Sequence, residues 1–158
     1  MEKKLSESGS CWISLGAVLA GIAVITGAFA AHGLDSFCAK KYADEPAVTV
    51  AGWEHPMAYK RLNDFQVGAR YQMYHALGMI ALGLLMNHRR SKLLTAAGTC
   101  FALGIVLFSG SLYALVLTGI KILGAITPIG GVLMIIGWGL FAWGACSAKP
   151  GISQPENE

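Results

Sequence analysis

From Cys11 to Ala31 the chain reads CWISLGAVLAGIAVITGAFAA, 21 residues without an acid, a base or a histidine. A bilayer span takes about 20 mainly apolar residues, whereas the buried helix of a soluble domain rarely stays apolar beyond about 14. Comparable runs follow at Tyr71–Asn87, Leu93–Thr118 and Gly124–Cys146, and the charges gather between them. Only 13% of residues are charged, against about 25% in an ordinary soluble domain. The expected fold class is therefore all-α: a polytopic membrane protein built as a bundle of four transmembrane helices.

The predicted organisation is a polar N-terminal tail (1–10), a membrane domain (11–146) and a disordered polar tail (147–158). The spans fall at about 11–34, 71–87, 93–118 and 124–146. Lys3 and Lys4 ahead of an apolar stretch ending in Ala28-Phe29-Ala30 imitate a secretory signal. The usual signal core is only about 7–15 residues long, however, so the first helix is expected to be retained. In the loop 35–70, Pro46 and Pro56 break the chain. After Pro56, Met57, Leu62, Phe65 and Tyr71 alternate with Lys60, Arg61, Asp64 and Arg70, the pattern of an interfacial helix lying in the headgroup region before the second span.

Several function classes drop out. A net charge of +3 comes with no basic stripe interleaved with aromatics outside the spans, so no nucleic-acid partner is expected. Cys11, Cys38, Cys100 and Cys146 form neither a CxxC pair nor a zinc spacing. They are read as packing residues, and no metal or cofactor is expected. No GxSxG or comparable nucleophile motif occurs, and the expectation is a protein that is not an enzyme.

Without a hydrophobic drive inside hydrocarbon, helices associate through small residues. Ala23, Gly27 and Ala31 recur every four residues on the first span, and Gly110, Ala114 and Thr118 do so on the third. Both stripes are predicted helix contacts. Gly131, Ile135 and Gly139 leave a partial groove on the fourth span, and Trp12, Trp138 and Trp143 suit interfacial anchoring. A weak internal echo relates Gly21-Ile22 and Thr26-Gly27-Ala28 to Gly104-Ile105 and Ser109-Gly110-Ser111.

Alternating threading sharpens the picture. His32 closes the first span, Arg70, Gln72 and His75 open the second, Tyr113, Thr118 and Lys121 lie late in the third, and Thr127 precedes Pro128 early in the fourth. All of them fall toward the side that carries loop 35–70. Polar and ionisable groups in spans are costly and mark function, although Arg and Lys near span ends can snorkel to headgroups. Thr127-Pro128 is a place for a helix to begin inside the membrane. His32 and His75 on adjacent helices also raise a bis-histidine haem, against which no carboxylate stands in a span.

Four blocks carry a family resemblance: GAFAAHGL (Gly27–Leu34), ARYQMYHAL (Ala69–Leu77), GIVLFSGSLYAL (Gly104–Leu115) and LGAITPIGGVLMIIGW (Leu123–Trp138). In order and content they resemble the domain-of-unknown-function 423 family, the bacterial relatives of the transmembrane protein 256 group. The resemblance implies a small inner-membrane protein with a retained first helix; it brings no established activity and no catalytic residues. The loop 35–68 is longer than the family pattern. His32, Arg70, Gln72, His75, Ser109, Tyr113 and Thr127 lie in these blocks and form the candidate ligand-binding set.

The leading expectation is a non-enzymatic protein whose polar vestibule on the loop 35–70 side binds a small ligand, lipid or partner helix, as a transporter or channel component. The alternatives are an assembly or scaffold protein acting through its small-residue stripes, and an intramembrane enzyme or bis-His haem protein. The partners implied are the lipid bilayer and a second copy or another membrane protein. Lys3, Lys4, Arg89, Arg90, Lys92 and Lys149 lie on one side and Lys40, Lys41, Lys60, Arg61, Arg70 and Lys121 on the other. The count ties, and the compact acid-free turn His88–Lys92 tips both termini toward the cytoplasm.

Overall fold

A computed structural model describes residues 7–147 and 149–150. The first helix, α1 (Glu7–His32), starts inside the expected polar tail; most of both tails lies outside the described residues. Gly33 bends the chain into a short helix, α2 (Leu34–Lys41), and a hairpin of β1 (Val48–Val50) and β2 (Trp53–His55) follows. Its two-residue turn puts Ala51 at φ 52 and Gly52 at φ 85, the left-handed pair that matches strand twist. Helix α3 (Met57–Met86) then runs 30 residues without interruption, about 45 Å. The separate interfacial helix after Pro56 is therefore not seen: that segment forms the opening turns of α3. Hydropathy changes along it, but the backbone hydrogen-bond ladder does not.

Ser91 caps α4 (Lys92–Ile105) by accepting from the Leu93 N–H at 3.2 Å. A π-helical turn, Val106–Gly110, joins α4 to α5 (Ser111–Thr118), so the two make one rod. Gly119, at φ 83, ends the rod in the left-handed conformation only glycine adopts without strain. Helix α6 (Leu123–Ser147) begins five residues ahead of Pro128 rather than at it, leaving the proline inside the helix. Short strands β3 (Arg89–Arg90) and β4 (Lys149–Pro150) pair where the chain returns to the start of α4.

Two antiparallel seams hold the bundle, and both repeat every seven residues. Along α1 and α3, Gly9 meets Gly83 and Gly16 meets Ala76, with Ala23 and Ala69 buried one heptad further on. A Cβ built on Gly16 would stand 2.7 Å from the Ala76 carbonyl oxygen, and one on Gly83 would stand 2.7 Å from that of Gly9. Along the α4–α5 rod and α6, Leu94, Phe101 and Phe108 sit over Gly144, Gly137 and Gly130. The Leu94 and Phe101 side chains thus fill glycine holes in α6, and at Gly130 the backbone of Phe108 itself approaches. Met79, Leu82, Leu94, Phe101 and Met134 form a core where the two hairpins join.

Within the single chain, the four-residue stripes contribute little to these seams. Only Ala23 of the first stripe lies on a seam; Ala31 is exposed, and a Cβ on Gly27 would meet nothing within 4 Å. The same holds for Gly110, while Ala114 is half-buried and Thr118 exposed. The physical reason is rotation. A four-residue step advances about 40° around a helix, whereas a seven-residue step drifts by only about 20°, so a long seam follows heptads.

The outward faces of α1 and α6 present Val18, Val24, Ile25, Ile129, Ile135 and Ile136, all exposed. In water so large an apolar surface would drive aggregation; in lipid it is the natural solvent contact. Ser8–His32, Lys92–Thr118 and Leu123–Ser147 are each long and apolar enough to cross a bilayer.

Candidate functional site

The polar residues of the interior meet around the π-helical turn. Ser109, fully buried in that turn, donates to the Gly68 carbonyl of α3 at 2.8 Å. The Leu19 carbonyl of α1 can only accept, so the Gln72 amide nitrogen faces it, at 2.8 Å. The Gln72 amide oxygen is then turned to Tyr113, whose hydroxyl donates to it at 3.0 Å. Thr26 of α1 lies 3.2 Å from the same hydroxyl. Ser111 donates to the Phe108 carbonyl at 3.0 Å and stands 2.8 Å from the Thr127 hydroxyl of α6. Three separate groups of hydrogen bonds therefore tie α1 to α3 and the rod, the rod to α3, and the rod to α6. Gly68 is needed there, because a Cβ would stand 2.9 Å from the Tyr113 ring.

Of the predicted set, Gln72 and Tyr113 bond each other, while Ser109 bonds the Gly68 carbonyl and Thr127 pairs with Ser111. His75 lies deeper along α3, 5% exposed, with Nδ1 2.7 Å from the Tyr71 carbonyl oxygen. Its ring is edge-on to Phe101 at 5.5 Å and tilted toward Trp138 at 6.1 Å. His32 and Arg70 are exposed and stand outside the network. The α1–α3 register sets His32 opposite residue 60, roughly 22 Å along the axis from His75. One haem iron cannot take both, which removes the bis-histidine reading.

Nearer the loop a groove of about 350 Å³ opens between α3, the rod and α6. Lys60, Arg61, Asp64 and Lys121 form its charged part, and Phe108, Leu112, Leu115 and Pro128 its apolar wall. Asp64 accepts from Lys60 at 3.0 Å and from Arg61 at 3.2 Å, so two cations share one carboxylate there. Lys121 also reaches Glu45 at 3.2 Å. Arg61 is only 9% exposed, lies 5.7 Å from the Tyr42 ring centre, and leaves its Nε buried without a partner. Pro128 lacks an N–H, which frees the carbonyl of Gly124 on the groove wall.

Behind the groove, the Tyr42 hydroxyl donates to the Val116 carbonyl at 2.8 Å and covers the last turn of α5, where helix carbonyls lack partners. Burial pushes the Tyr42 hydroxyl pKa up, with the Arg61 guanidinium acting against it. Burial likewise pushes the Cys38 thiol up, reinforced by the Asp35 carboxylate and opposed by Arg61. Sequence reading took Arg61 and Asp64 for the polar face of an interfacial helix and missed the groove. The available signal is spacing: Asp64 stands three residues after Arg61 and four after Lys60. Tyr42 gave none, since its partner is 74 residues away.

Helices of membrane length, an outward apolar surface and internally satisfied polar groups define an α-helical membrane protein. Residues 26–131 match the family described as "Protein of unknown function (DUF423)". The chain belongs to that family. It is 46% identical over 127 residues to a UPF0382 membrane protein of Staphylococcus epidermidis, covering 80% of this chain and 88% of the relative. It is 43% identical over 128 residues to the UPF0382 membrane protein YwdK of Bacillus subtilis, covering 80% and 89%. No solved structure matches the chain.

Proposed function

We propose that this protein is a non-enzymatic, four-span protein of the bacterial inner membrane that binds an anionic amphiphile in its loop-side groove, with both termini in the cytoplasm. The observation that carries the reading is the groove itself, where Lys60 and Arg61 share Asp64, Lys121 pairs with Glu45 at its edge, and one positive charge is left over beside an apolar wall. A phosphate or carboxylate headgroup offers the acceptors that such a cluster lacks, and the wall suits a chain or ring entering from the bilayer. The groove is favoured over a vestibule around Gln72, Tyr113 and Ser109, because those side chains already bond to one another or to helix carbonyls.

What supports crossing by α3 is its neighbour. Gly9 beside Gly83 and Trp12 beside Gly98 bring the start of α1, the end of α3 and the start of α4 to one end of the bundle. If α1 crosses, α3 returns the chain. Its charged opening turns then lie at the headgroups, where Lys60 and Arg70 can snorkel.

The test is extraction into native-lipid discs followed by mass spectrometry of the bound lipids. Wild-type protein is expected to be enriched in anionic lipids over the surrounding membrane, and Lys60→Gln/Lys121→Gln is expected to lose at least fivefold of that enrichment while keeping its helix content. Equal lipid profiles for the two proteins would refute the groove.

A further inference from the structure

We propose that a second cleft, between α3 and α6 around His75, binds a planar ring compound that donates a hydroxyl hydrogen bond, of the phenol or hydroquinone class. The cleft holds about 460 Å³ and is lined by Tyr71, Tyr74, His75, Gly131, Ile135 and Trp138, with Met134 at its base. That volume lies within the range of small-molecule sites. The Tyr71 ring stacks on Phe108 at 4.8 Å, and this pair separates the cleft from the charged groove nearer the loop.

Its chemistry is set by one nitrogen. The Tyr71 carbonyl oxygen 2.7 Å from Nδ1 can only accept, so Nδ1 carries a proton. No acid lines the cleft and the surroundings are aromatic, conditions in which an unpaired charge is costly. The neutral ring therefore presents Nε2 as a lone pair. Nε2 has no hydrogen bond among the described residues, and only Arg61 Nε and Asn87 Oδ1 are both enclosed and unpartnered there. The free acceptor thus keeps access to open space, and His75 borders this cleft.

The walls complete the selection. Tyr71, Tyr74 and Trp138 supply flat faces suited to offset or edge-on contact with a ring. Gly131 leaves room for it on the α6 side. Tyr74 and Trp138 are half-exposed on the bundle's outer surface, so the mouth opens where lipid-soluble molecules arrive. An anion finds no cation here, and no group of three metal-ligating side chains occurs among the described residues. A hydroxyl donor on an apolar ring matches every wall.

The experiment uses the full chain with histidine labelled by ¹⁵N, in lipid discs, titrated with trimethylhydroquinone or with its dimethyl ether. The hydroquinone is expected to bind saturably and to shift the His75 Nε2 resonance, while the ether, which has no proton to donate, binds at least tenfold more weakly. His75→Phe should lose tenfold or more in hydroquinone affinity, and Lys60→Gln/Lys121→Gln should bind it like wild type. Equal binding of the ether, no movement of Nε2, or retention of affinity by His75→Phe would each overturn the proposal. The Nε2 shift is read on the native protein, so the test holds even if His75→Phe fails to fold. Lipid enrichment at the groove is read separately, so either site can fail alone.

Discussion

Gly130→Ala is expected to lose roughly 1–3 kcal/mol of stability, enough to remove most folded protein from a detergent extract. The added methyl group would be driven into the backbone of Leu107 and Phe108, at the start of the π-helical turn. Backbone cannot swing aside as a long side chain can. Gly110→Ala on the rod and Gly27→Ala on α1 are the matched controls, since a Cβ at either meets open space. Thermal unfolding followed by circular dichroism in one detergent should place both controls within a few degrees of wild type and Gly130→Ala far below. Equal losses at Gly27 and Gly130 would mean that the heptad seams are misassigned.

The second large effect is expected in the network that joins α1, α3 and the rod. Tyr113→Phe strands the Gln72 amide oxygen, which has no other hydrogen bond among the described residues, in a residue only 3% exposed. Leaving a buried acceptor unpaired costs about 1–3 kcal/mol. Hydrogen bonds between membrane helices measured by double-mutant cycles average about 0.6 kcal/mol and reach about 1.7, so a loss of about 1–2 kcal/mol is expected. In Gln72→Leu the Tyr113 hydroxyl keeps Thr26 at 3.2 Å, and the loss should be smaller. The double variant should be more stable than the sum of the two losses, by about 1 kcal/mol. Strict additivity would show that Gln72 and Tyr113 do not interact.

The length and composition of the apolar runs were legible because a bilayer imposes them directly. The pairing of Gln72 with Tyr113 is consistent with the direction of each helix, which brings them to similar depth. The contact faces were not. Gly27 and Gly110 look like packing glycines in isolation, yet only the partner decides which side of a helix is inside, and Phe101 over Gly137 or Gly16 against Ala76 cannot be read from one strand of sequence. The internal echo does not extend to burial at one position: Ala23 is buried on its seam, whereas its counterpart Val106 is exposed.

Arg61 shows the limit from the other side. Its charge announces a water-facing position, but Asp64 and the Tyr42 ring fold it into the bundle. The bond from Tyr42 to Val116 joins the end of α2 to the rod across 74 residues of sequence. The π-helical turn had no local signature either, because Ser109 and Ser111 become informative only once Gly68 and Thr127 stand beside them.

Everything proposed for the groove and the cleft rests on α3 carrying the chain back through the bilayer. With the native cysteines replaced by serine, single cysteines at Asp44, His88 and Ile122, all exposed, can be labelled on intact cells with a membrane-impermeant maleimide. Positions 44 and 122 should behave alike and position 88 oppositely. Labelling of 44 and 88 from the same face would contradict the threading and take both sites with it.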